Sequence, residues 1–284
     1  MGGMSTIDLH MHSTASDGTT PPQELAAMAV EADLSAIALT DHDTAAGHAA
    51  CRDGCEHVGV AFIPGIELSC DRGQPRGSMH VLGYFIDPDT PSLQRVIEHL
   101  WQARTERAPQ IVDRLRELGI DITMEQVIAE AGCAMIGRPH IAAVLLDKGC
   151  VGSIREAFER YIGHGAPAYI RKDNLPTAEA IAAIREARGV AVLAHPIQLR
   201  YADDDELDRI VGRLRDEGLG GIEVRHSDHD AALVEQYSDL AARYDLVTTG
   251  GSDFHGERKD IDLGSQRVPE AWLEPLREAA AATV

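Results

Sequence analysis

The sequence predicts an α/β protein, a distorted seven-stranded β/α barrel with a small helical subdomain inserted into it. Three observations lead there. Apolar, β-branched runs alternate with Ala/Leu-rich runs whose apolar residues recur at steps of three and four, the pattern of strands alternating with amphipathic helices. Chemistry-bearing residues collect at strand ends, and in a barrel those ends converge on one mouth. One stretch, about Trp101 to Lys172, breaks the rhythm with helical segments and no strong strand.

TIDLHMH is the first strand, and a Ser/Thr/Gly-rich turn leads through Thr20 and Pro21-Pro22 into the helix PPQELAAMAVEADL. SAIALTDHD, VAFIPGIELS and SMHVLGYFID supply three more strands. After the break, Pro176-Thr177 opens the helix TAEAIAAIREARG, followed by the strand VAVLAHP. The helix DELDRIVGRLRDEG then precedes the strand GGIEVRH, and ALVEQYSDLAARY precedes LVTTGGSDFH. Seven strands give the distorted variant of the eight-stranded scheme. Within the break, IVDRLRELGI closes on Gly119, TMEQVIAEAG on Gly132 and SIREAFERYIGHG on Gly163. The division expected is a barrel over 1–98 and 176–284 with a helical cap over 99–175. The Trp101–Lys172 stretch holds ten Lys+Arg and nine Asp+Glu, whereas the remainder carries a net −21.

A chain of 284 residues can bury one large core plus an insert. No apolar run approaches the ~18 residues of a transmembrane helix, and no signal-peptide layout is present, so a cytoplasmic setting is expected. Five cysteines (Cys51, Cys55, Cys70, Cys133, Cys150) form an odd, scattered set that suits neither a disulfide framework nor a zinc finger. A net charge of −20 repels phosphate, which argues against duplex DNA and anionic membranes as partners. An anionic substrate would then need local cations, metals among them. The oligomeric state is left open.

His10 and His12 lie on one side of their strand because side chains alternate with period two. Alone, two strand histidines are more often a hydrogen-bonded surface pair. Asp253 and His255 repeat the geometry with Phe254 opposite, and that recurrence favours metal ligation. With Asp17, His42, Glu67, His80 and His195, six imidazoles and three carboxylates are placed to converge. Nine ligands exceed one tetrahedral zinc and fit two or three divalent ions, with Glu67 placed to bridge a pair. The mixed shell suits Mn²⁺, Zn²⁺ or Fe²⁺. Such a centre can activate water and clamp the attacking and leaving oxygens of a phosphoryl group, which points to phosphoester hydrolysis.

DLHMHSTASDG, ALTDHD, PGIELS, LAHP and GGSDFHG together resemble the successive motifs of the PHP (polymerase and histidinol phosphatase) family, over roughly 5–98 and 176–265. The resemblance implies a distorted (β/α)7 barrel with a trinuclear metal centre and phosphoesterase activity. It further implies that His10, His12, Glu67 and Asp253 hold a first ion, Glu67, His80 and His195 a second, and Asp17, His42 and His255 a third. Asp17 stands where many members have histidine, and this harder ligand favours Mn²⁺. Glu67 and Asp253 count as catalytic as well as ligating.

GRPHIA and RYIGHGAPAYIRK resemble the insert of the nucleoside 3′,5′-bisphosphate phosphatase branch, some of whose members trim short 5′-phosphorylated RNA. That implies a small phosphorylated nucleotide as substrate, its 3′-phosphate removed, with Arg138, His140, Arg171 and Lys172 binding its second phosphate. Arg138 is expected in a rigid Gly-Arg-Pro turn. His226, ending GIEVRH, is a candidate leaving-group acid. One of Asp41 and Asp43 is expected to orient a ligand, and Tyr169, Tyr201 or Phe254 to offer the base one aromatic face. His48, His57, His99, His164 and His229 read as surface residues. Histidinol phosphate or another small metabolite is an alternative substrate. An amidohydrolase acting on C–N bonds is a second alternative, disfavoured because no lysine falls on a predicted strand. A non-catalytic PHP module is a third, opposed by the complete ligand set.

Overall fold

The computed structural model describes residues 5–73, 77–132 and 136–283; Cys133 lies outside the described residues. Its α/β architecture is a nearly closed barrel. The seven expected strands form at β1 (Thr6–Met11), β2 (Leu34–Leu39), β3 (Ala61–Asp71), β4 (Met79–Tyr84), β6 (Val190–Leu193), β7 (Gly221–Arg225) and β8 (Val247–Gly250). Two-residue strands, β5 (Leu175–Pro176) and β9 (Val268–Pro269), pair with β3 and β1. The sheet order is β8-β7-β6-β4-β3-β2-β1-β9.

The distortion has a clear origin at β4. Among the described residues no helix separates it from β3, and it runs antiparallel to β3 and to β6 as well. His80 is therefore near the start of its strand, not at the C-terminal end that the repeating β/α pattern suggests. Reversal of the strand is what brings it to the mouth.

The seam between β8 and β1 is closed by main-chain bonds just past β8. Asp253 N–H donates to His10 O at 2.9 Å, and His12 N–H to Phe254 O at 2.8 Å. The buried Asp8 carboxylate accepts from the N–H groups of His10 (3.1 Å), Ser252 (3.0 Å) and Gly264 (2.8 Å). A Cβ on Gly251 would overlap the His10 backbone nitrogen, so only glycine permits this approach.

Ile7, Leu9, Ala36, Ala38, Ile63, Leu82, Tyr84, Val190 and Val192 form one buried cluster drawn from five strands. Helices α1 (Leu25–Glu31) and α2 (His48–Val58) cover β1 and β2. The helix α3 (Pro91–Glu117) gives Leu93, Val96 and Leu100 to the barrel side, then Ile111, Val112 and Leu115 to a separate cluster in the insert. The boundary expected at 98/99 thus falls inside one continuous helix. Helices α4 (Met124–Ala131), α5 (Arg138–Asp147) and α6 (Ile154–Ala157) complete the insert, with a π-helical turn at Phe158–Ile162. A capping box between Thr123 and Gln126 starts α4. Helices α7 (Thr177–Glu186), α8 (Asp204–Asp216) and α9 (Ala231–Arg243) pack outside β6 and β7, and α10 (Leu273–Ala281) packs against the central cluster. Among the described residues no helix is long and apolar enough to cross a membrane, and the four described cysteines are unpaired.

Candidate metal centre

Glu67, on β3, is fully enclosed and stands at the centre of the mouth. Its Oε1 is 2.7 Å from His80 Nδ1 and 2.9 Å from His195 Nε2. Its Oε2 is 3.1 Å from His42 Nδ1, 3.2 Å from His12 Nε2 and 3.3 Å from His10 Nε2. Asp253 Oδ1 adds approaches of 3.2 Å to His12 Nε2, 3.4 Å to His255 Nδ1 and 3.6 Å to His10 Nε2. Asp17 Oδ1 lies 3.5 Å from His255 Nε2 and 3.8 Å from His12 Nδ1. All nine side chains expected to be ligands meet in this cluster.

The donor set fits divalent ions. Nδ1 of His12 and Nδ1 of His195 are buried without a hydrogen-bond partner, whereas His12 Nε2 and His42 Nδ1 lie 3.2 and 3.1 Å from Glu67 Oε2 without hydrogen-bond geometry. Orphaned imidazole nitrogens are costly in a protein interior unless something else occupies their lone pairs. Ligand atoms of His12, Asp17, His42 and His255 lie within 4.8 Å of one another, and so do those of His10, His12 and Glu67 and those of His42, Glu67 and His80. Burial opposes ionisation of Glu67, but His42, His80 and His10 outweigh it and hold the carboxyl well below the usual range. Burial likewise lowers His12, yet Asp253 and Glu67 bring it up to about 9. Burial alone dominates at His195, pushed down to about 4.

Several site expectations are corrected by the geometry. His226 is fully buried behind Asp253, its Nε2 3.2 Å from Oδ2 and its Nδ1 accepting the Asp228 N–H at 3.0 Å. It is not among the residues that line the cleft described below. Asp41 accepts from Ser13 N–H and both the Ser13 and Ser16 hydroxyls, tying down the loop that carries Asp17. Asp43, held at φ +56°, accepts from Ser69 N–H (2.7 Å), Arg104 Nη2 (2.6 Å) and Lys172 Nζ (3.0 Å). Neither aspartate hydrogen-bonds a cluster imidazole. His48 and His229 are buried, bonded to the carbonyls of Gly65 and Val224.

A cleft of about 270 Å³ is lined by Asp17, His42 and His80, and its lining also includes Arg104, Arg107, Arg138, Arg171 and Lys172. Arg138 belongs to the first turn of α5 instead of a free turn; its guanidinium reaches Ile162 O at 3.3 Å and lies 5.3 Å from the Phe158 ring. Arg171 is exposed and paired with Asp71 at 2.9 Å. His140 is outside this lining: it is buried, its Nδ1 accepting the Gly137 N–H at 3.0 Å, and burial pushes it down to about 4. His164, expected as plain surface, lines the cleft with its ring 5.1 Å from Tyr169. Tyr201 instead bonds the Tyr237 hydroxyl, and Phe254 is buried against α1 and α2, so Tyr169 alone of the three aromatics faces the cleft.

Four residues of the site escape a reading of the sequence. Glu223 contacts His10 and His195, and Lys259 Nζ bonds Asp253 Oδ2. Arg104 and Arg107 line the cleft from mid-α3. A charged residue inside the apolar run GIEV was the one available signal for Glu223.

A β/α barrel whose mouth gathers imidazoles and carboxylates able to hold divalent ions defines a metal-dependent hydrolase. The family model for the PHP domain matches residues 8–197, and the chain belongs to the PHP family. It is 33% identical over 264 residues to a 3′,5′-nucleoside bisphosphate phosphatase of Chromobacterium violaceum, covering 89% of this chain and 88% of that one. It is 32% identical to a phosphoribosyl 1,2-cyclic phosphate 1,2-diphosphodiesterase of Eggerthella lenta, covering 92% and 98%. The crystal structure of an inferred metal-dependent phosphoesterase from Bifidobacterium adolescentis superposes with a TM-score of 0.88 at 32% identity, covering 97% of this chain and 96% of that chain. This protein is a metal-dependent phosphoesterase.

Proposed function

We propose that the protein removes the 3′-phosphate from nucleoside 3′,5′-bisphosphates, giving the 5′-monophosphate and phosphate. One observation carries the reading: a single cleft is lined both by Asp17, His42 and His80 of the ligand cluster and by cationic side chains that include Arg104, Arg107, Arg138, Arg171 and Lys172. Two poles of that kind suit a substrate with two anionic groups. In this reading His10, His12, Glu67 and Asp253 hold one ion, Glu67, His80 and His195 a second, and Asp17, His42 and His255 a third, with Mn²⁺ the preferred metal. When bound, such ions activate water and neutralise the phosphoryl oxygens. The chain's own residues do the selecting. Arg104, Arg107, Arg138 and Lys172 take the phosphate that is not cleaved, with Arg171 at the rim, and Tyr169 offers a face to the base. His140 supports the start of α5 and does not contact substrate, and His226 orients Asp253.

Residues 99–175 are proposed as the cap that supplies this selectivity, and 1–98 with 176–284 as the barrel that supplies the reaction. A short 5′-phosphorylated RNA offers the same terminal phosphate, and the acidic remainder of the chain keeps such a substrate short. None of the three lysines lies on a strand, which disfavours the C–N hydrolase alternative. A cytoplasmic setting is part of this proposal.

The test is a screen with added Mn²⁺ over nucleoside 3′,5′-bisphosphates, 5′-monophosphates, histidinol phosphate, a 1,2-cyclic sugar phosphate and short 5′-phosphorylated RNA. Phosphate release and product chromatography read it out. Bisphosphates should lead by at least about tenfold in kcat/KM, and chelation should abolish turnover. Equal turnover of bisphosphates and simple monoesters would remove the substrate reading and leave the phosphoesterase class standing.

A further inference from the structure

Glu223 belongs to none of the three ligand sets, yet it is fully enclosed in the site, between Ile222 and Val224 on β7. Its two oxygens serve two different members of the cluster. Oε1 lies 2.8 Å from His10 Nδ1, and Oε2 accepts the His195 backbone N–H at 2.7 Å. A neutral imidazole has one proton, and placing it on Nδ1 of His10 leaves the Nε2 lone pair turned toward Glu67 and Asp253, at 3.3 and 3.6 Å. His195 has φ +22°, a backbone region that non-glycine residues rarely enter. The bond from its N–H to Glu223 helps hold it there while its Nε2 reaches Glu67 Oε1 at 2.9 Å.

We propose that Glu223 is a positioning residue that fixes the tautomer of His10 and the backbone pose of His195 together, so that both turn Nε2 toward Glu67, where they would serve as ligands to divalent ions. The inference rests on the ligand assignment made above. A carboxylate accepts at both ends, whereas an amide of the same size accepts at one end and donates at the other. Glu223→Gln therefore loses one contact without changing volume. Its amide nitrogen either donates to His10 Nδ1, which drives the proton onto Nε2, or meets the His195 N–H donor to donor.

The experiment titrates Mn²⁺ alone into the full chain and into Glu223→Gln, with free Mn²⁺ followed by electron paramagnetic resonance. Long-range ¹H–¹⁵N spectra of the Zn²⁺-loaded parent chain, with His10 assigned by comparison with His10→Gln, show which ring nitrogen carries the proton. The expected result is a His10 proton on Nδ1 in the parent and Mn²⁺ binding weakened about 10- to 100-fold in Glu223→Gln. Unchanged Mn²⁺ affinity and stoichiometry in the variant would overturn the proposal, as would a parent His10 ligated through Nδ1. The spectrum needs no Glu223 variant, so it decides even if Glu223→Gln does not fold. A parent chain that binds neither metal overturns the ligand assignment and this proposal with it, and that failure is distinct from a parent that binds normally and a variant that matches it.

Discussion

Glu67 is buried against His42 and His80, which line the cleft, and Arg104 lines the cleft as well, yet the surroundings of the two residues differ in kind. Glu67 sits on a strand paired to β2 and to β4, and the imidazoles of His10, His12, His42, His80 and His195 meet its two oxygens. Arg104 stands midway along α3 among other cations. Burial and the neighbouring Arg138 bring Arg107 down to about 9, and burial and Arg104 bring Lys172 down to about 7, although Asp43 opposes the latter shift. The mouth combines carboxylates with orphaned imidazole nitrogens, while the insert brings together several cations, of which Arg104 and Lys172 share the single carboxylate of Asp43. On the function proposed above, reaction and selectivity are carried by separate parts of the fold, so each should be open to damage without the other.

The largest effect should come from the mouth. Glu67→Gln keeps the volume but removes the carboxylate at the centre of the cluster, and kcat/KM should fall by about 10³-fold or more for bisphosphates and monoesters alike. Steady-state kinetics on both substrates checks this; a loss confined to bisphosphates would break the division of labour. The next effect belongs to the insert wall. Arg138→Ala should lower kcat/KM for bisphosphates by about 10- to 100-fold and for simple monoesters by less than about threefold, since a charge-assisted bond to phosphate is worth a few kcal/mol. Unchanged bisphosphate kinetics would remove Arg138 from the recognition surface.

Lys172 sharpens the comparison through pH. Protonated below about 7 and neutral above it, it should make KM for a bisphosphate rise up to about tenfold between about pH 6 and 9, while KM for a monoester stays level. Lys172→Arg keeps the charge and should flatten the profile. The lowered value also has a sign for stability. Between about 7 and the ordinary 10.5 the unfolded chain binds more protons than the folded one, so this group's contribution to stability rises with pH across that window. Thermal melts of the parent and of Lys172→Met should differ most at the acid end. The smallest effect is expected at the start of α4, where Thr123→Ala removes the capping box and should cost about 1 kcal/mol of stability, read by denaturant titration. Mn²⁺ binding should not change.

The ligand cluster was legible because strand periodicity and strand ends fix where side chains point before any tertiary contact is known. His80 shows the limit of that rule: sequence pattern finds the residue, but the reversed direction of β4 decides which end of the strand holds it. Arg104 and Arg107 were invisible for another reason. On a helix with mixed charges they look like solvated residues, and only the path of α3 across the cleft gives them a ligand to face. His48 and His229 were misjudged because the carbonyls that satisfy them, on Gly65 and Val224, belong to the neighbouring strands β3 and β7. His226 was placed at the right strand end, but its burial behind Asp253 depends on the packing of β7 against β8.

The seam that joins β8 to β1 also bears on how the chain assembles. Its partners, His10 with Asp253 and Asp8 with Ser252 and Gly264, are distant in sequence, 244 residues apart for Asp8 and Ser252. The whole stretch between them must leave the ribosome before these bonds can form. Loop-closure entropy between such distant partners makes the joining of the ring a late and slow step. Until it occurs, Asp253 and His255 are apart from the histidines of the first strand. Divalent ions therefore meet a full set of ligands only on a completed ring, and they stabilise that form over any open one by mass action. A chelated sample should accordingly show its earliest hydrogen exchange at the main-chain amides of His12 and Asp253, ahead of the strands buried between them.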